Sequence, residues 1–125
     1  MSKRILVVDD VAINRMLAVA LLKREGWSVA EAADGSRALE MLTGEHGFHA
    51  VLLDISMPGI NGEEVCSQLR ANPQTMGLPI VAYTAHAMEE DGERLIAAGF
   101  DALLIKPISA ASLYSALERA IAARA

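Results

Sequence analysis

The chain is poor in several things, and each scarcity excludes a class of protein. Among 125 residues there is one cysteine, Cys66, so no internal disulfide can form and a disulfide-stapled secreted scaffold is excluded. Aromatic residues make up only 4%, so a core must be assembled from Ala, Val, Leu, Ile and Met. Basic residues are outnumbered, 11 against 16 acidic, for a net charge of −5. A nucleic-acid partner is therefore not expected, because it would demand a net basic face. No apolar run approaches a membrane span, and Met1-Ser2-Lys3-Arg4 leads into only four apolar residues before Asp9, too few for a signal peptide. Low-complexity tracts and linkers are absent too. These deficits describe a cytoplasmic protein with no membrane association.

What is present is a large apolar fraction, 53% against roughly 45–50% in an average soluble domain. That supports one packed domain spanning residues 1–125, and the last helical pattern runs so near the end that no effector domain is expected. Ile5-Leu6-Val7-Val8 is a short, continuous apolar run with β-branched residues, the signature of a strand buried on both faces. Ile13, Met16, Leu17, Ala20 and Leu21 then recur on one helical stripe, stopped by Gly26. The alternation repeats. Trp27-Ser28-Val29-Ala30 opens a weaker strand, and Asp34-Gly35 turns into a helix over Ser36–Leu42. Ala50-Val51-Leu52-Leu53 closes on Asp54, and a Pro58-Gly59 and Asn61-Gly62 loop precedes a helix from Glu63 to Leu69. Ile80-Val81-Ala82-Tyr83 ends at Thr84, with a helix over Met88–Ala98 closed by Gly99. Ala102-Leu103-Leu104-Ile105 ends at Lys106-Pro107, and Leu113, Ala116, Leu117, Ala120 and Ile121 form a final stripe. Strand–helix alternation repeated five times predicts an α/β fold, a (βα)5 doubly wound sandwich with a parallel sheet.

In such sheets ligands bind beyond the carboxyl ends of the strands. Strand one ends in Asp9-Asp10, strand three in Asp54, strand four in Thr84 and strand five in Lys106; strand two ends in Ala32-Ala33. The order 2-1-3-4-5 gathers all five polar side chains on one rim and sends the strand without a polar terminus to an edge. The order 3-2-1-4-5 would pull Asp54 away from Asp9-Asp10, so the flavodoxin-like order is predicted.

Three carboxylates on one rim repel each other. Either one keeps its proton or a cation sits among them. Hard oxygen ligands in a water-rich site suit Mg²⁺, which takes one or two carboxylates, several waters and a phosphoryl oxygen. A lysine and a hydroxyl facing the same spot suit an anion. The set describes phosphoryl chemistry with a carboxylate nucleophile.

The residues Val7-Val8-Asp9-Asp10, Leu53-Asp54-Ile55-Ser56-Met57-Pro58-Gly59-Ile60-Asn61-Gly62, Thr84-Ala85 and Lys106-Pro107-Ile108 closely resemble the receiver domain of two-component response regulators. The resemblance covers essentially the whole chain. It implies that Asp54 accepts a phosphoryl group from a phosphohistidine on a sensor kinase or histidine phosphotransfer protein. It implies Mg²⁺ held by Asp9, Asp10, Asp54 and the Ser56 carbonyl, Lys106 paired with the phosphoryl group, Thr84 as the switch, and often a cis bond at Lys106-Pro107. It also implies a monomer, or a weak dimer through the face of the fourth helix, fifth strand and fifth helix. Asn14-Arg15 and Thr84-Ala85-His86-Ala87-Met88 are similar to receivers of hybrid sensor kinases and stand-alone relays. One departure stands out: the family usually has Tyr or Phe where this chain has Leu103.

Rival readings are weaker. A Mg-dependent phosphatase working through an aspartyl phosphate would want a second acid two residues after the nucleophile, where Ser56 stands. A flavin carrier would want a Ser/Thr/Gly-rich loop in place of Asp9-Asp10-Val11-Ala12. His46 and His49 precede strand three, at the opposite rim, and lack further ligands. The resemblance implies that His86, like Ser56, borders the path of the attacking water, where it either tunes hydrolysis or is simply an exposed loop residue. Cys66 reads as a structural thiol, and Met16, Met41 and Met88 as core or interface filler.

Overall fold

A computed structural model of the chain describes residues 3–44, 46–85 and 89–124, of which 89–91 by backbone alone. Its elements are β1 (Arg4–Val8), α1 (Ala12–Arg24), β2 (Ser28–Ala32), α2 (Gly35–Met41), β3 (Ala50–Asp54), α3 (Gly62–Ala71), β4 (Ile80–Thr84), α4 (Glu89–Ala98), β5 (Ala102–Ile105) and α5 (Ala110–Ala123). The five strands pair in parallel in the order β2-β1-β3-β4-β5, as expected from the polar strand ends.

Alternation along each strand sorts the side chains into two layers. Leu6, Val8, Val51, Leu53, Ile80 and Ala82 pack with Ala38, Leu42, Val65, Leu69, Leu95 and Phe100, from and around α2, α3 and α4. Ile5, Val7, Leu52, Val81, Tyr83 and Leu104 pack on the other face with Ala18, Val19, Leu22, Leu113, Ala116, Leu117 and Ala120 of α1 and α5. Burial on both faces explains why β1, β3 and β4 read as unbroken apolar runs.

The helices start where their sequences supply acceptors. The Asp34 side chain accepts from the Arg37 N–H at 2.8 Å, and Asn61 from the Glu64 N–H at 2.9 Å. Ser109 and Ser112 form a reciprocal capping box at the start of α5. Gly62 opens α3 directly against the end of β3. A Cβ there would fall inside van der Waals distance of the Asp54 carbonyl and of Ile55 Cα, so only glycine lets the helix seat beneath the strand end.

One expectation fails. Of the stripe read on α1, Ile13 is 75% exposed, Met16 65% and Leu17 45%, while the helix buries Ala18, Val19 and Leu22. The segment from Met16 to Leu22 is apolar nearly all round, so periodicity alone leaves the buried face undetermined. Met16 accordingly is no core filler, whereas Met41 is half-buried against the first layer. Cys66 is fully buried, its thiol directed at the Ala98 carbonyl (3.7 Å) and pushed up to about 11 by burial, as suits a structural thiol. His49 Nδ1 accepts the Arg4 N–H across 45 residues of chain and His46 Nδ1 the nearby Phe48 N–H, each at 2.9 Å, so both imidazoles serve backbone groups. Among the described residues, no helix is long and apolar enough to cross a membrane.

Candidate functional site

The sheet register brings the polar strand ends level. Val8 pairs with Leu53, so one residue on Asp9 stands beside Asp54; Asp54 pairs with Tyr83, and Thr84 with Ile105. The Asp9 N–H bonds the Ala32 carbonyl and the Lys106 N–H bonds the Thr84 carbonyl at 2.7 Å, which extends the ladders to the rim.

Asp9, Asp10 and Asp54 offer carboxylate oxygens all within 4.8 Å of one another, Asp9 and Asp54 buried and Asp10 exposed. Asp9 has two tasks. Its Oδ1 accepts the Val11 N–H at 2.9 Å, forming the turn that opens α1, whose N-cap lacks a side-chain partner of its own. Its Oδ2 is buried and has no hydrogen-bond partner, although the Lys106 ammonium lies 3.2 Å away. That approach lacks hydrogen-bond alignment, so it is a charge contact that leaves a lone pair aimed into the site. Asp54 Oδ1 accepts the Ser56 N–H at 3.1 Å, and its Oδ2 lies 3.4 Å from Lys106 Nζ.

One ammonium thus spans two buried carboxylates, and the balance of charge stays negative. Burial, the largest influence, pushes the Asp54 carboxyl up to about 7; Lys106 opposes this, while Asp9 adds to it. Both resolutions of the crowded rim are therefore open to the chain: a proton on Asp54, or a cation among the three acids. The orphaned Asp9 Oδ2 and the all-oxygen donor set fit a hard divalent ion.

Thr84 is buried at the end of β4. Leu103 is half-buried and packs against the α2–α3–α4 layer. Ser56 is exposed just past Asp54. The Lys106-Pro107 bond is cis. His86 lies outside the described residues, as does Met88. The contacts of two further residues are not evident from the sequence, although Asn14-Arg15 is part of the resemblance. Arg15, in α1, donates to the Asp9 carbonyl at 2.7 Å and to Glu31 at 3.0 Å, tying the β1–α1 loop to β2. Tyr83 places its ring beneath Lys106, with Nζ 4.3 Å from the ring centroid. Arg15 carries no spacing signal, and Tyr83 reads simply as a strand residue until its face of the sheet is known.

Five parallel strands in this order, with three acids, a threonine and a lysine at the carboxyl rim, lay out a two-component receiver. The chain belongs to the response regulator receiver domain family, whose model matches residues 5–118. It is 34% identical over 109 residues to the polar-differentiation response regulator DivK of Brucella ovis, covering 87% of this chain and 88% of that protein. It is 38% identical over 117 residues to the response regulator PleD of Caulobacter vibrioides, covering 92% of this chain and 25% of that longer protein. Among solved structures it superposes on the chemotaxis response regulator CheY4 of Vibrio cholerae with a TM-score of 0.87, at 28% identity over 96% of this chain and 99% of that one. The receiver domain of a sensor histidine kinase from Pseudomonas aeruginosa, with magnesium coordinated in its active-site cleft, matches with a TM-score of 0.87, 31% identity and coverage of 98% and 99%. The chain is thus a receiver module of two-component signalling. Nothing in these similarities supports the phosphatase alternative.

Proposed function

We propose that Asp54 is the phosphoacceptor of this receiver, and that Asp9, Asp10, Asp54 and the Ser56 carbonyl hold Mg²⁺. The observation that carries the reading is the single Lys106 ammonium held 3.2 Å from Asp9 and 3.4 Å from Asp54 on a rim with three carboxylates. A bound Mg²⁺ would supply positive charge against the transferring phosphoryl oxygens and relieve the repulsion among the acids.

The chain's own residues account for the rest. Ionised Asp54 attacks the phosphorus of a phosphohistidine in line; an oxygen–phosphorus bond forms as the phosphorus–nitrogen bond breaks, and the imidazole nitrogen takes the electron pair and a proton. The Ser56 N–H keeps one Asp54 oxygen in place, so the carboxylate enters the reaction already oriented. Lys106 follows the charge from the carboxylate to the new phosphoryl group. Thr84, at the adjoining strand end, supplies a hydroxyl to that group and so communicates the change to the α4–β5 side. Leu103 occupies the place of the usual aromatic there, so the switch runs without an aromatic rotamer. The acyl phosphate then hydrolyses on the same chain, without turnover of a separate substrate.

The donor is a protein of the sensor kinase or histidine phosphotransfer class. Val11, Ile13, Met16 and Leu17 form an exposed apolar patch at the start of α1, next to Asp10, which suits an apolar helical partner presenting its phosphohistidine to the rim. Output runs through the α4–β5–α5 face, where Ile96 and Ile105 are half-exposed, with the chain a monomer or weak dimer.

Phosphoramidate, a small nitrogen–phosphorus donor, tests the reading. With Mg²⁺ the wild type should acquire one phosphoryl group, resolved on a phosphate-affinity gel, and Asp54→Ala none. Equal labelling of both would overturn the assignment.

A further inference from the structure

We propose that Tyr83 is a positioning residue for Lys106: its buried ring forms the floor on which the ammonium rests between Asp9 and Asp54. The inference rests on the acceptor reading above and adds a residue to it.

A lysine head carries roughly 2 kcal/mol of rotamer entropy on a flexible four-carbon stem, and a charge contact alone directs it weakly. Lys106 approaches Asp9 without hydrogen-bond alignment and stands 3.4 Å from Asp54, so the carboxylates attract it without fixing it. Tyr83 supplies what is missing. Nζ lies 4.3 Å from the ring centroid, inside the roughly 6 Å reach of a cation–π contact, and the lysine side chain is only 15% exposed. The ring itself is buried, 1% exposed and set in the α1–α5 layer with Val81 and Leu104. Burial, with Asp9 and Asp54 adding to it, pushes the phenol up to about 12, so the ring stays neutral across the working pH range. Tyr83 also lies in the opposite layer from Leu103, so it does not stand in for the aromatic missing from β5.

The ring gives the ammonium a resting place that does not depend on the charge of Asp54. As the carboxylate becomes an acyl phosphate, Lys106 pivots over a fixed surface.

Tyr83→Leu removes the ring face, and Tyr83→Phe keeps it. Phosphorylation by acetyl phosphate at saturating Mg²⁺ should slow roughly tenfold in the Leu variant, the factor that ~1.4 kcal/mol of cation–π contact gives. Phe should restore the rate, and Mg²⁺ affinity should hold in both. In a Lys106→Met background the Tyr83→Leu change should have no further effect. A separate readout needs no folded variant: the Lys106 Hε protons of the wild type should resonate upfield of those of Lys23, from the ring current. A full-rate Leu variant, a Phe variant as slow as Leu, an undiminished effect without Lys106, or unshifted Hε protons would each overturn the proposal. A wild type that takes up no phosphoryl group would sink the acceptor reading, and the Hε shift would still decide on Tyr83.

Discussion

Neutralising Asp54 should stabilise the chain, and the gain should depend on pH in a definite direction. The carboxyl is raised from its ordinary 3.8 to about 7, chiefly by burial and further by Asp9. Below 3.8 the folded and unfolded chains both hold the proton. Between 3.8 and about 7 the unfolded chain releases it while the folded chain keeps it, so stability falls as pH rises through this window; above 7 the loss is complete. At ~1.36 kcal/mol per decade the displacement sets an upper bound of about 4 kcal/mol. Rearrangement of Lys106 around the ionised form reduces this, so about 1–4 kcal/mol is expected. Asp54→Asn cannot ionise, and its amide oxygen still accepts the Ser56 N–H. Chelator-treated variant and wild type should therefore melt alike near pH 4 and diverge toward pH 8, by roughly 3–6 °C per kcal/mol for a chain of this size. Added Mg²⁺ should narrow the gap by stabilising the wild type more than the variant, which keeps Asp9 and Asp10 but loses one carboxylate ligand. A variant less stable than wild type at pH 8, or a difference that ignores pH, would refute the reasoning.

Other consequences follow from particular contacts. Asp9→Asn should lower Mg²⁺ affinity by more than roughly tenfold in calorimetry, since even outer-shell partners act on that scale; unchanged affinity would remove Asp9 from the ion site. Gly62→Ala should cost about 1–3 kcal/mol in urea unfolding, because the methyl meets the Asp54 carbonyl, and should slow acetyl phosphate labelling too. Ile13→Ser with Met16→Ser should leave stability within about 0.5 kcal/mol. The same pair should slow transfer from a phosphorylated histidine protein but not from acetyl phosphate; equal slowing with both donors would contradict a docking role for α1.

Much of this architecture is legible in the residues because two rules reinforce each other. Runs such as Ile5–Val8 and Ala50–Leu53 announce strands buried on both faces, and a polar residue at the end of four strands out of five leaves one sensible strand order. The acid cluster follows from that order. The buried face of α1 does not, because a helix apolar nearly all round gives periodicity nothing to choose between. Tyr83 is hidden for a related reason: strands buried on both sides lack the polar alternation that would reveal which layer a side chain enters. The Arg15 bond to the Asp9 carbonyl is tertiary and leaves no mark in spacing. Asp9 is legible yet ambiguous, since the oxygen that shapes the turn and the oxygen facing the site belong to one carboxylate.

The central claim is that the Asp54 carboxylate takes up phosphate, and intact mass tests it most directly. After incubation with Mg²⁺ and acetyl phosphate the wild type should gain a single phosphoryl mass, lost on treatment with hydroxylamine, and Asp54→Ala should gain none. An adduct that survives hydroxylamine, one that persists in the variant, or no adduct from either this donor or phosphorylated histidine kinases would contradict it.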